Sequence, residues 1–134
     1  METTASRLTI GPVEYFRAHL EYEITPTGLK SLLERRPNNV LVLDVRDAAQ
    51  FEAGHIPGAR NIPLETLPGA FYSLPKDQLI VACCSDFACG MSMQASLELA
   101  QKGFQVQRLI GGIAEWSRRG YPLETSSHAE SQAW

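Results

Sequence analysis

Three strand-like runs constrain this chain most: VLVLDV at 40–45, QLIVACC at 78–84 and QVQRLI at 105–110. The first two are almost continuously apolar, the pattern of strands covered on both faces. Between them the period turns helical. Residues 11–22 place Val13, Phe16 and Leu20 at helical spacing, and Pro26 opens a second helix with Leu29, Leu32 and Leu33 as its buried stripe. Pro37-Asn38-Asn39 closes that helix. A short helix and a Gly/Pro-rich turn follow in DAAQFEAGHIPGARNIPLE, and LETLPGAFYSL reads as another short helix. From Ser92 to Lys102 the pattern predicts a helix that buries Met93, Leu97 and Ala100 with Phe104, and ends at Gly103. GGIAEWSRRG reads as a last helix, with Ile113 and Trp116 in the core. Strands alternating with helices specify an α/β domain on a parallel sheet. Such sheets bind ligands beyond the carboxyl ends of their strands, where this reading puts Asp44, Arg46 and Cys84.

At 134 residues the chain is long enough for one domain with a proper core. We expect an extension at 1–22, the domain at 23–124, and a polar, disordered tail at 125–134. Fifteen acidic against twelve basic residues give a net charge of −3, and no basic run appears. Nucleic acid and membrane are therefore not expected as partners. Neither a leader-like N-terminus nor a stretch of the roughly 18 apolar residues that cross a bilayer is present, so the expected location is cytoplasmic. Thiols stay reduced there, and the odd count of three cysteines suits a reactive thiol better than a disulfide framework.

All three cysteines fall within VACCSDFACG, residues 81–90. Successive strand side chains face opposite ways, so Cys83 and Cys84 cannot share a role. Cys83 reads as a small core residue. Cys84 ends the strand and opens a loop before a helix, where the helix dipole and unpaired amides favour a thiolate. Ser85, Asp86, Phe87, Ala88, Cys89 and Gly90 would then form a cup of N–H donors around a nucleophilic sulfur. Cys89 is either a loop residue packing inward or a resolving thiol for Cys84. No metal or cofactor is expected: Cys83 faces away, and His55 and His128 lack ligand spacing.

At these residues the chain resembles the rhodanese-like sulfurtransferase family. LDVRDAAQFEAGHIPGARNIP resembles its first signature, LIVACC the strand leading to its catalytic cysteine, and GFQVQRLIGGIAEWSRRGYPLE its C-terminal signature. The resemblance implies a three-layer α/β sandwich around a five-stranded, mostly parallel sheet. It also implies that Cys84 accepts sulfane sulfur as a persulfide and passes it to a nucleophile. The donor would be thiosulfate, a polysulfide, mercaptopyruvate or a protein persulfide, and the acceptor a thiol or cyanide. The loop departs from the common family form: Cys84 is followed by Ser-Asp-Phe-Ala-Cys-Gly-Met-Ser, enlarged and without arginine or lysine. That argues against efficient use of thiosulfate. A phosphatase would need an arginine where Gly90 stands.

Asp44 and Arg46 are candidate substrate contacts, with Arg46 supplying the charge that the loop lacks; the competing reading is an ion pair fixing the strand end. His55, between Gly and Pro residues, reads as a turn residue bonded to backbone. Two alternatives to sulfur transfer stay open: a thiol redox switch built on Cys84 and Cys89, and a catalytically idle interaction module.

Overall fold

The structure is a computed structural model and describes residues 9–126. Most of the expected polar tail, residues 127–134, lies outside the described residues. Helix α1 (Pro12–Tyr22) leads into β1 (Glu23–Ile24) and α2 (Pro26–Arg35), and a 3-10 turn at Pro37–Asn39 precedes β2 (Val40–Asp44). Then come α3 (Ala48–Ala53), β3 (Arg60–Asn61), two 3-10 turns at Leu64–Gly69 and Phe71–Ser73, and β4 (Leu79–Cys83). Helix α4 (Met91–Gln101), β5 (Gln105–Leu109) and α5 (Gly112–Arg118) complete the domain.

The five strands form one sheet in the order β1-β5-β4-β2-β3, every pairing parallel. Parallel neighbours need crossovers, and the helices between strands supply them. Two long runs, 40–44 and 79–83, pair in register at the centre, from Val40 opposite Leu79 to Asp44 opposite Cys83. The sheet is covered on both faces, as the continuous apolar runs require. On one face Leu43, Val45, Ile80, Ala82 and Cys84 pack with Leu67, Ala95, Leu99 and Phe104. On the other, Val40, Val42, Val81 and Cys83 pack with Leu29, Ile56, Leu109, Ile113 and Trp116. Each fully buried Leu or Ile contributes about 1.5–3 kcal/mol of transfer free energy.

Helix starts follow local chemistry. Thr25 Oγ1 accepts from the Gly28 amide at 3.0 Å, with Pro26 in the first turn, and Asp47 Oδ1 accepts from the Gln50 amide at 2.8 Å. Leu29 is fully buried, with Leu32 and Leu33 packed beside it, the expected α2 stripe.

The stripe expected on α4 is rotated. Ser92, Ala95 and Leu99 face the sheet, while Met93 and Leu97 are each 51% exposed. The helix has apolar residues on two sides, so period alone could not choose between them. The small residues Ser92 and Ala95 allow close approach to the strands, and the buried Ser92 hydroxyl accepts from Arg108 Nε at 3.0 Å. Met93 and Leu97 instead line an apolar groove of about 770 Å³ with Tyr22, Phe104 and Val106. Helix α1 forms where expected, but none of its residues is buried, and Val13, Phe16 and Leu20 remain exposed. The stretch read as a helix at LETLPGAFYSL is two 3-10 turns, since Pro68 inside it cannot donate to an α-helical ladder. No helix among the described residues is long and apolar enough to cross a membrane.

Candidate active site

Cys84 follows the last residue of β4, at the carboxyl edge of the sheet. Strand alternation separates it from its neighbour: Cys84 belongs to the α4 face and Cys83 to the α5 face. Cys83 is fully buried. Burial pushes its thiol well above the usual range, and Asp44 adds to the rise while Arg46 opposes it. A thiol held neutral in the core is a poor nucleophile.

Two amides from the start of α5 hold the Cys84 backbone. Ile113 N donates to Cys84 O and Ala114 N to Ser85 O, both at 2.9 Å. Unpaired first-turn donors of one helix thus satisfy the carbonyls of the two residues that follow β4. The approach is close enough that residue 112 has to be glycine. A Cβ there would lie 2.4 Å from Cys84 O, and its φ is +61°. The sequence reading missed this contact, although the Gly111-Gly112 pair before an apolar helix was its visible signal. Phe87, 65% exposed, lies over Gly111 and ties the loop tip to the same helix.

Asp86 shapes the loop. Its Oδ1 accepts from the Ala88 amide at 3.0 Å and its carbonyl from the Cys89 amide at 3.2 Å. Of the amides expected to form the cup, those of Ala88 and Cys89 are thus already occupied, and Asp86 serves as turn former. The reversal carries Cys89 back toward Cys84, and the two are joined by a disulfide with Cα atoms 6.5 Å apart. Cys84 is 1% exposed in this form, whereas Cys89 is only half-buried. Ser85 is half-buried, and Ala88 and Gly90 lie at the surface. Gly90 caps α4, whose first-turn amides have no acceptor within the helix.

Asp44 and Arg46 are not part of this cup. They share the Cys83 face of the sheet, and both are buried. Arg46 Nη2 donates to Asp44 Oδ2 at 2.8 Å and Nε to Asp44 Oδ1 at 3.0 Å, while Nη2 also reaches Gly54 O at 2.7 Å. Asn61 Nδ2 bridges the carbonyls of Asp44 and Arg46. The guanidinium is consumed in fixing the strand end, so it brings no free charge to the loop. His55 lies in the following turn, its Nδ1 2.7 Å from Phe51 O and its ring stacked on Phe51. Among the described residues, no cluster of three His, Cys, Asp or Glu side chains is placed to hold a metal ion.

A charge cluster locks α5 in place. Glu115 accepts from Arg118 Nε at 3.0 Å and from Arg119 Nε at 3.2 Å, and Arg119 Nη1 reaches Thr27 Oγ1 on α2 at 2.9 Å. The hydrogen bond from Arg118 is the main cause that lowers the Glu115 carboxyl to about 2; partial burial opposes it and Arg119 adds to it. A depressed carboxyl stabilises the fold above its unfolded value of 4.5, and that contribution is lost as pH falls toward about 2. In that window the unfolded chain binds the extra proton, so stability rises with pH. Thermal unfolding followed from pH 5 downward is expected to show a shallower acid loss in Glu115→Gln than in the parent.

A family model described as a rhodanese-like domain matches residues 25–119. Over 86 residues the chain is 37% identical to a sulfurtransferase of Allochromatium vinosum, covering 63% of this chain and 78% of that protein. It is also 37% identical over 98 residues to the HTH-type transcriptional regulator Rv0324 of Mycobacterium tuberculosis; this match takes in 73% of the chain but spans only 43% of the regulator's length. Among solved structures, the BH2092 protein from Bacillus halodurans aligns with a TM-score of 0.77 at 31% identity, covering 87% of this chain and 88% of that one.

Proposed function

The chain belongs to the rhodanese-like domain family, and on that premise we propose that it transfers sulfane sulfur through a persulfide on Cys84. The observation that carries this reading is the position of Cys84, at the carboxyl end of the central strand between α5 amides and the start of α4. In the reduced protein the α4 dipole and its unpaired amides favour the Cys84 thiolate. That thiolate attacks the outer sulfur of a donor, the donor's S–S bond breaks, and the departing group leaves as a thiolate. An acceptor thiol or cyanide then takes the sulfur and restores Cys84. A reducing compartment such as the cytoplasm would keep Cys84 and Cys89 available for this cycle.

The loop's charge ranks the donors. With Asp86 present, Arg46 neutralised on the opposite face, and no base between Cys84 and Gly90, a thiosulfate dianion meets no cationic side chain from the loop. Reduced Cys89→Ala protein is expected to take up sulfur from glutathione persulfide, whose charges lie away from the sulfur, at least about tenfold faster than from thiosulfate, read by intact mass. Absence of a sulfur adduct with every donor would remove the reading.

The Cys84–Cys89 bridge favours a second reading, in which oxidation closes the site. Mild peroxide is then expected to remove two alkylatable thiols and all sulfur uptake, and a dithiol to restore both. Uptake that persists after peroxide would exclude it.

A further inference from the structure

Resting on the persulfide reading above, we propose that Cys89 discharges the Cys84 persulfide reductively, so that the protein releases hydrogen sulfide at the expense of a dithiol. The bridge joins Sγ to Sγ, so Cys89 reaches the inner sulfur of Cys84, the atom that would carry the sulfane sulfur. The Asp86 turn, through its bonds from the Ala88 and Cys89 amides, brings Cys89 back toward Cys84. Cys83 cannot compete, being on the other face of the sheet with its thiol held neutral.

The step balances without a further oxidant. The Cys89 thiolate attacks Cys84 Sγ, the Cys84–Cys89 bond forms, and the bond from Cys84 to its outer sulfur breaks. The electron pair leaves with that sulfur as hydrosulfide. The sulfane sulfur is reduced to the sulfide level, and the two cysteine thiols are oxidised to the disulfide. A dithiol then attacks the bridge, is itself oxidised to a disulfide, and returns both thiols. Its entry point is set by exposure: Cys89 is half-buried and reachable, whereas Cys84 is covered.

The class of reaction upstream is thus one that makes sulfane sulfur, and the class downstream one that consumes hydrosulfide. The usual fate of a persulfide, transfer to an external nucleophile, would be bypassed whenever Cys89 attacks first.

The test is a single turnover with the reduced, reductant-free protein and one equivalent of glutathione persulfide, whose loading step releases a thiol and no sulfide. The parent is expected to release about one sulfide per chain and to lose two alkylatable thiols as the Cys84–Cys89 bridge forms. Cys89→Ala and Cys89→Ser are expected to stop at a cyanide-labile persulfide, with sulfide release lower by at least about tenfold. Cys89 packs at the edge of the α4-side core, so circular dichroism of both variants accompanies the assay. A parent that keeps its persulfide, or Cys89 variants that release sulfide at the parent rate, would overturn the proposal while leaving sulfur transfer intact. If neither parent nor variants take up sulfur, the persulfide reading fails and this step fails with it.

Discussion

Gly112→Ala is expected to lower the thermal midpoint by on the order of 10 °C and to suppress sulfur uptake in the chains that still fold. Two costs add. Residue 112 has φ of +61°, where a side chain costs about 1–2 kcal/mol. The new Cβ would also sit 2.4 Å from Cys84 O and 2.9 Å from the Ser85 carbonyl carbon, both backbone atoms that no rotamer change can move aside. Relief requires α5 and the loop to part, breaking the bonds from Ile113 and Ala114, worth about 1 kcal/mol each. Gly69→Ala is the control, because its Cβ would meet no atom within 4 Å. Differential scanning calorimetry of the two variants, followed by mass analysis of their reduced Cys89→Ala forms after exposure to a persulfide, reads both effects. Equal midpoints for the two would show that the α5 amides do not hold the loop.

Cys84→Ser, made in the Cys89→Ala chain, is expected to reduce sulfur uptake from glutathione persulfide by at least about a hundredfold, since a hydroxyl neither ionises at neutral pH nor bonds sulfur as a thiolate does. The side chain is buried in the α4-side core, so the variant also places a hydroxyl there, at a cost of about 1–3 kcal/mol. Circular dichroism therefore accompanies the assay. Cys83→Ser makes the same chemical change one residue away, on the opposite face. It is expected to lose comparable stability while keeping its sulfur transfer. Loss of activity in both would point to packing and not to nucleophilicity.

The parts of the structure legible in sequence were those with one dominant period. The runs at 40–44 and 79–83 read as strands covered on both faces, and their alternation separated Cys83 from Cys84 correctly. Helix α4 was harder. Met93 and Leu97 compete with Ala95 and Leu99 for the core, and only the space available against the strands decides between them. Arg46 shows a second limit. A strand-end arginine looks alike whether it faces a ligand or a carboxylate two residues back, and here Asp44 has taken it. The clamp on Cys84 was hidden because its donors, Ile113 and Ala114, are main-chain groups that side-chain chemistry does not advertise. Asp86 was read as part of the cup, and its role as turn former appears only when both its acceptor atoms are seen in use.

Central to everything above is the identity of the sulfur that receives sulfane sulfur. Reduced Cys89→Ala protein, loaded with glutathione persulfide, alkylated and cleaved after Lys76 and Lys102, yields one peptide holding both Cys83 and Cys84. Tandem mass fragmentation between the two is expected to place the extra sulfur on Cys84 alone. Finding it on Cys83, or finding none while the fold is intact, would contradict a persulfide on Cys84.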